Sequence, residues 1–183
     1  MFDRDTFIQD CIRTVAEGQE AVGEIVAKAM SDRANIMPQL GEPEHAGMVP
    51  LYRANDLTII NFRWAPCMSI MPHNHQMFSV VGIYSGREDN VFWRRTGAGI
   101  EAERAKSLGA GDVTTLDRDI IHSVTNPIEK MTCAIHVYGG DFFEPSEPRS
   151  EWDHETLVER PWDVDKVKAL FRKAERRYTG STT

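Results

Sequence analysis

Residues 67–86 read C-M-S-I-M-P-H-N-H-Q-M-F-S-V-V-G-I-Y-S-G, and residues 111–126 read G-D-V-T-T-L-D-R-D-I-I-H-S-V-T-N. In the first stretch His73 and His75 stand two positions apart. On an extended strand both imidazoles leave the same face and can reach one ion. Pro66 and Pro72 predict that this strand begins at an irregular rim rather than in a sheet centre. The second stretch carries a further strand histidine, His122. A lone H-x-H has a bland alternative, a polar strand face, and by itself does not decide for a metal.

The rhythm of strands extends from Leu51 to about Phe143. L-T-I-I-N-F-R-W, M-F-S-V-V-G-I-Y, N-V-F-W-R-R, D-V-T-T-L, I-H-S-V-T-N and T-C-A-I-H-V-Y are rich in β-branched and aromatic residues. Gly, Asp, Asn and Pro separate them, as turns require. Short strands at this spacing predict a mainly β sandwich or small barrel. Upstream, Phe7, Ile8, Cys11, Ile12 and Val15 share one helical face, and Val22, Ile25, Val26 and Met30 resume it after a break at Gly18. Asp3 or Asp5 is the expected N-cap. Residues 38–50 read as a connecting loop. After Phe143, E-P-S-E-P-R-S-E leads to a final helix near 164–177, which opens on Asp163 and Asp165. It closes on Arg172, Lys173, Arg176 and Arg177, as the helix dipole prefers, and this basic end reads as a solvated terminus.

The chain has 183 residues, with 21 Lys plus Arg against 28 Asp plus Glu, a net charge of −7 and a pI near 5.4. That balance argues against a protein that tracks nucleic-acid phosphates or seeks anionic lipid, and leaves small molecules as the partner class. The three cysteines, Cys11, Cys67 and Cys133, form no C-x-x-C pair and no disulfide framework, and they read as small buried hydrophobes. The start, M-F-D-R-D-T-F, is charged and precedes no apolar run, and no segment approaches the ~20 apolar residues of a membrane span. The expectation is a reduced, cytoplasmic protein.

The two stretches resemble the paired motifs of the cupin superfamily, in which the first supplies two histidines and the second another, with Gly86 and Asn126 at the motif offsets. Cys67 stands where Gly is usual, and Asp117 and Asp119 where Pro and Gly are common. The resemblance implies a double-stranded β-helix, or jelly-roll barrel, with N-terminal helices and a C-terminal helix. Residues 1–45 would form the helical extension, 46–145 the barrel and 146–183 a loop and helix, all one globular unit. It also implies a metal on His73, His75 and His122. Many cupins add a Glu after H-x-H with three or four residues between, but those places hold Ser79 and Val80. Three neutral imidazoles leave a divalent ion near +2, which favours an anionic ligand such as a thiolate.

A three-histidine cupin followed by T-C-A-I-H-V-Y is similar to the thiol dioxygenases, which include cysteine dioxygenase and 3-mercaptopropionate dioxygenase. That likeness covers about residues 50–143. It implies mononuclear Fe(II) and conversion of a small thiol, with dioxygen, to its sulfinate. The family's Ser-x-His-x-Tyr motif is matched by His136 and Tyr138, with Ala134 in the Ser position. Tyr138 would then hydrogen-bond the reacting atoms while His136 orients it. The cysteine that some members crosslink to that tyrosine falls near Val80, so no Cys–Tyr crosslink is expected. Arg53 lies about where the family's carboxylate-binding arginine lies; Arg63 competes, and Arg94 and Arg95 read as surface charge. Trp64, Phe78, Trp93 and Phe142 could wall a pocket, though aromatics on strands are more often plain core. Glu88 and Asp89 read as turn residues. A metal-dependent lyase or isomerase, or a ligand-sensing cupin without turnover, are the alternatives.

Overall fold

Strand pairing, followed in chain order, explains the architecture of this computed structural model, which describes residues 1–97 and 99–180. The strands are β1 (Gly47–Arg53), β2 (Thr58–Trp64), β3 (Ser69–Asn74), β4 (Ser79–Ser85), β5 (Arg87–Thr96) and β6 (Gly99–Gly109). They continue as β7 (Val113–Leu116), β8 (Ile121–Thr125), β9 (Thr132–Tyr138), β10 (Ser150–Trp152) and β11 (Glu159–Pro161). The helices are α1 (Arg4–Thr14), α2 (Gln19–Ser31), α3 (Ile36–Leu40) and α4 (Val164–Gly180). Antiparallel partners nest: β5 with β6, β4 with β7, β3 with β8, β2 with β9. This is one long hairpin, rolled up until β9 also pairs with β4 and β8 with β5. The outcome is a mainly β, double-stranded β-helix built of two sheets, β1-β2-β9-β4-β7 and β11-β10-β3-β8-β5-β6.

All seven residues of β9 are buried, because both of its faces are covered. Thr132, Ala134, His136 and Tyr138 occupy alternate positions, the inward face. Cys133, Ile135 and Val137 point the other way and pack with Val22, Val26 and Met30 of α2. The close approach of α2 depends on Gly82 of β4: a Cβ there would lie 2.7 Å from Val26 Cγ1 and 2.9 Å from Met30 Cγ. Asp3, rather than Asp5, caps α1, its carboxylate accepting the Thr6 N–H at 2.8 Å. Gly18, at φ 97°, ends the first helical segment before α2 begins. Asp163 accepts the backbone N–H groups of Asp165 and Lys166 at the head of α4. Among the described residues, no helix is long and apolar enough to cross a membrane.

Three expectations need correction. The loop expected at 38–50 contains the end of α3 and the start of β1. Pro38 falls in the first turn of α3, where a missing N–H costs nothing, and Pro50 sits on an edge strand beside a register shift. The loop expected after Phe143 contains β10 and β11, three residues each and too short for any periodicity to show. Cys67 is exposed, not buried like Cys11 and Cys133; it takes a left-handed turn conformation, φ 54°, at the position where Gly is usual.

Replacing Gly82 by Ala forces a methyl group into the α2 interface. The expected cost is about 1–3 kcal/mol of stability, read as a lowered denaturant midpoint. An unchanged midpoint would mean that α2 does not dock as described.

Candidate metal centre

The register of β3 against β8 sets His73 directly opposite His122. His75 lies one residue beyond the end of β3, not on the strand as the spacing predicts. The chain turns at Gln76, φ 58°, and the His75 ring still faces inward. Its Nε2 is 3.2 Å from Nε2 of His73 and 3.3 Å from Nε2 of His122. All three rings are buried. Metal–nitrogen bonds of about 2.1 Å, at angles of 90–109°, put neighbouring ligand nitrogens about 3.0–3.4 Å apart. The observed spacing falls in that range.

Each ring is held by its other nitrogen. His73 Nδ1 donates to the Met71 carbonyl at 3.0 Å, and His122 Nδ1 donates to Asn90 Oδ1 at 2.8 Å. Asn90 is oriented because its Nδ2 donates to Glu88 Oε1 at 3.0 Å. His75 Nδ1 meets the Ser79 hydroxyl at 3.4 Å. A carbonyl can only accept, so His73 carries its hydrogen on Nδ1 and turns a lone pair inward; Asn90 does the same for His122. Lone pairs converging at this distance repel unless a cation, or a hydrogen on His75 Nε2, lies among them. Burial pushes His73 down to about 3 and holds His75 and His122 well below the ordinary imidazole value, so the rings are neutral at pH 7. The donor set fits a divalent transition metal.

The cavity beside the triad is walled by aromatic side chains. Phe62, Trp64, Phe142 and Trp162 line it together with His136 and Tyr138. The space left is about 20 Å³, enough for about one water molecule. Trp162 and Val167, from the C-terminal segment, close one side, and Phe171 of α4 stacks on Trp64 at 5.4 Å. His136 and Tyr138 are hydrogen-bonded, Nδ1 to hydroxyl, at 3.1 Å. Burial pushes the Tyr138 phenol up, so it stays protonated. Of the four aromatics singled out in the sequence, Trp64 and Phe142 line the cavity. Phe78 packs against the helical core, and Trp93 donates its N–H to Ser123.

The structure does not bring Arg53 to this cavity. It stands at the end of edge strand β1, where its guanidinium grips Asp141 at 2.8–3.0 Å and reaches Glu144 at 2.9 Å. Arg63 donates to the Leu40 carbonyl on the outer face of β2. Arg94 and Arg95 pair with Glu101 and Glu159 on the surface. The buried guanidinium near the histidines belongs to Arg149, unremarked in the sequence. It donates from Nε to the Asn74 carbonyl and from Nη1 to the Phe142 carbonyl, each at 3.0 Å. It lies between the Phe142 and Trp162 rings, at 4.4 and 4.3 Å, and its Nη2 has no hydrogen-bond partner. Burial pulls it down to about 10, still a cation at pH 7. Glu88 is likewise buried, on β5 rather than in a turn. Its signal was period two: Glu88, Asn90 and Phe92 alternate inward along the strand.

No protein-family pattern matches the chain, and no curated protein matches it in sequence. Similar solved structures include an uncharacterised Klebsiella pneumoniae protein with a double-stranded β-helix domain: 15% identity, TM-score 0.44, covering 55% of this chain and 77% of that one. Bacillus subtilis oxalate decarboxylase is 16% identical with TM-score 0.43, over 53% of this chain but only 24% of that one. TT1209 from Thermus thermophilus is 16% identical with TM-score 0.44, over 54% of this chain and 87% of that one. Likenesses of this size leave the chemistry to the side chains. The chain's own strand pairing gives it a double-stranded β-helix fold, and that fold carries a buried three-histidine group.

His122→Ala should lose most bound metal, Asn90→Ala should weaken metal affinity about 10–100-fold, and His45→Ala and His154→Ala should change nothing. Metal per chain after dialysis, and competition against a chelator, measure this. The metal-free protein should also lose stability as pH falls from about 6.5 toward 3. Imidazoles held neutral in the fold take up protons when the chain unfolds, so acid favours the unfolded state. Denaturant midpoints across that range test the sign.

Proposed function

We propose that the chain is a mononuclear non-haem iron thiol dioxygenase acting on a small thiol carboxylate. The observation that carries this reading is a neutral three-histidine group with no carboxylate grouped with it among the described residues, beside a buried His136–Tyr138 pair. The sequence resemblance to thiol dioxygenases supplies the choice of iron. Bound Fe(II) supplies a site at which a thiol sulfur and dioxygen are held together. The net reaction, RSH + O2 → RSO2H, places both oxygen atoms on sulfur, which gives up four electrons to dioxygen.

The protein's own groups do four things. The triad, uncompensated by a carboxylate, favours the substrate as its thiolate. The Tyr138 hydroxyl stands on the cavity wall to relay the thiol proton toward His136. Arg149, with Nη2 free, is the anchor for a substrate carboxylate, in place of Arg53. A ligand larger than one water enters by turning aside Phe142 or Trp162, the two rings that flank this guanidinium. The aromatic walls keep bulk water away from the reacting sulfur.

Protein reconstituted anaerobically with Fe(II) should consume dioxygen on addition of cysteine, 3-mercaptopropionate or mercaptosuccinate, with one sulfinate formed per dioxygen. No uptake with a full metal load would overturn the proposal in favour of a lyase, isomerase or sensor. Tyr138→Phe should keep its metal and slow turnover about 100-fold. Arg149→Gln should raise KM for thiol carboxylates about 10-fold or more and leave cysteamine little affected. Equal effects on both thiol classes would remove Arg149 from the substrate site.

A further inference from the structure

Ala134 leaves His136 without the serine partner that the sequence resemblance implies, and a different side chain stands in that place. Glu88 enters from β5, fully buried, and its one ion-pair partner among the described residues is His136. Its Oε1 accepts from Asn90, which orients the metal-ligating His122. Its Oε2 lies 3.5 Å from His136 Nε2, and both atoms are buried with no other partner. A small adjustment of either side chain closes that gap to a hydrogen bond, and burial makes leaving it unmade costly.

The geometry points to Glu88 as a positioning residue that sets the tautomer of His136 and, through it, the direction of the Tyr138 hydrogen bond. A carboxylate accepts, so His136 carries its hydrogen on Nε2 and presents a bare Nδ1. Tyr138 then donates its O–H to Nδ1 and turns oxygen lone pairs toward the cavity. An incoming thiol meets an acceptor there: its proton passes to the Tyr138 oxygen while the phenolic proton moves to His136 Nδ1. The thiolate and imidazolium that result balance in charge, and Glu88 faces the imidazolium. One carboxylate therefore bridges the metal-ligand side of the barrel, through Asn90, and the proton-accepting side, through His136. The role in turnover rests on the thiol-oxidation reading; the tautomer does not.

The test is nitrogen NMR of the His136 ring in the metal-free 183-residue chain, wild type and Glu88→Gln. Wild type should show the Nε2–H tautomer. In the variant the amide oxygen keeps its Asn90 bond and the NH2 group faces His136, so the ring should switch to Nδ1–H. Metal per chain should be unchanged, and thiol-dependent dioxygen uptake should fall about 10-fold or more. A wild-type Nδ1–H tautomer, or the same tautomer in both proteins, would overturn the proposal, and the wild-type spectrum decides even if the variant does not fold. The expected tautomers with no thiol oxidation would sink the dioxygenase reading and leave this one standing.

Discussion

The antiparallel register between β3 and β8 holds His73 across from His122, and a slip of one residue would turn a ligand out of the barrel. That register is pinned from several sides. Asn126 binds the carbonyls of Trp64, Ala65 and Lys130 through its amide and receives Ile128 N–H and the Thr132 hydroxyl at its oxygen. Glu151 of β10 sits opposite His73 on the other edge of β3. Gly86, at φ 84°, lets the backbone press on Thr132; a Cβ there would come within 2.3 Å of the Thr132 hydroxyl oxygen. The two motif residues outside the ligand set thus hold the turns that fix where the ligands land.

Within the barrel the charges are sparse and separated. The imidazoles are neutral because burial disfavours their charged form. Arg149 is the nearby cation, stabilised by two aromatic faces and two carbonyls rather than by a carboxylate. Glu88 is the interior carboxylate beside His136, on the far side of His122 from the converging Nε2 atoms. A metal ion held by the triad would keep nearly its whole formal charge, and with Arg149 close by the cavity would then attract an anion strongly.

Much of this arrangement is readable in the sequence, because it depends on short-range spacing. The helices flanking Gly18, the alternation of β9 and the histidines at 73, 75, 122 and 136 all carry a local period or motif. What escapes is whatever depends on packing between distant segments. Arg149 lies in a Pro- and Glu-rich stretch that carries no period, and only the fold slides it between Phe142 and Trp162. Arg53 occupies the expected place in the chain, yet Asp141, 88 residues away, claims its guanidinium. Glu88 looks like a turn residue after Gly86 because β5 starts immediately after that glycine, leaving no spacer to mark the boundary.

The nested pairing of the strands has a kinetic consequence. Thr96 and Gly99, paired at the tip of β5·β6, are three residues apart, whereas Thr58 and Tyr138, paired across β2·β9, are 80 apart. Closing the outer pair from an open chain would carry a large loop entropy, but each inner pair, once formed, shortens the loop left for the next. A zipper running outward from the β5·β6 tip makes every step locally cheap. On that route Glu88 and Asn90 are in place first, His73 and His122 meet two pairings later, and Tyr138 arrives last. The ligand cluster is thus assembled onto groups already waiting to orient it, and the wall that shuts out water closes over a finished centre.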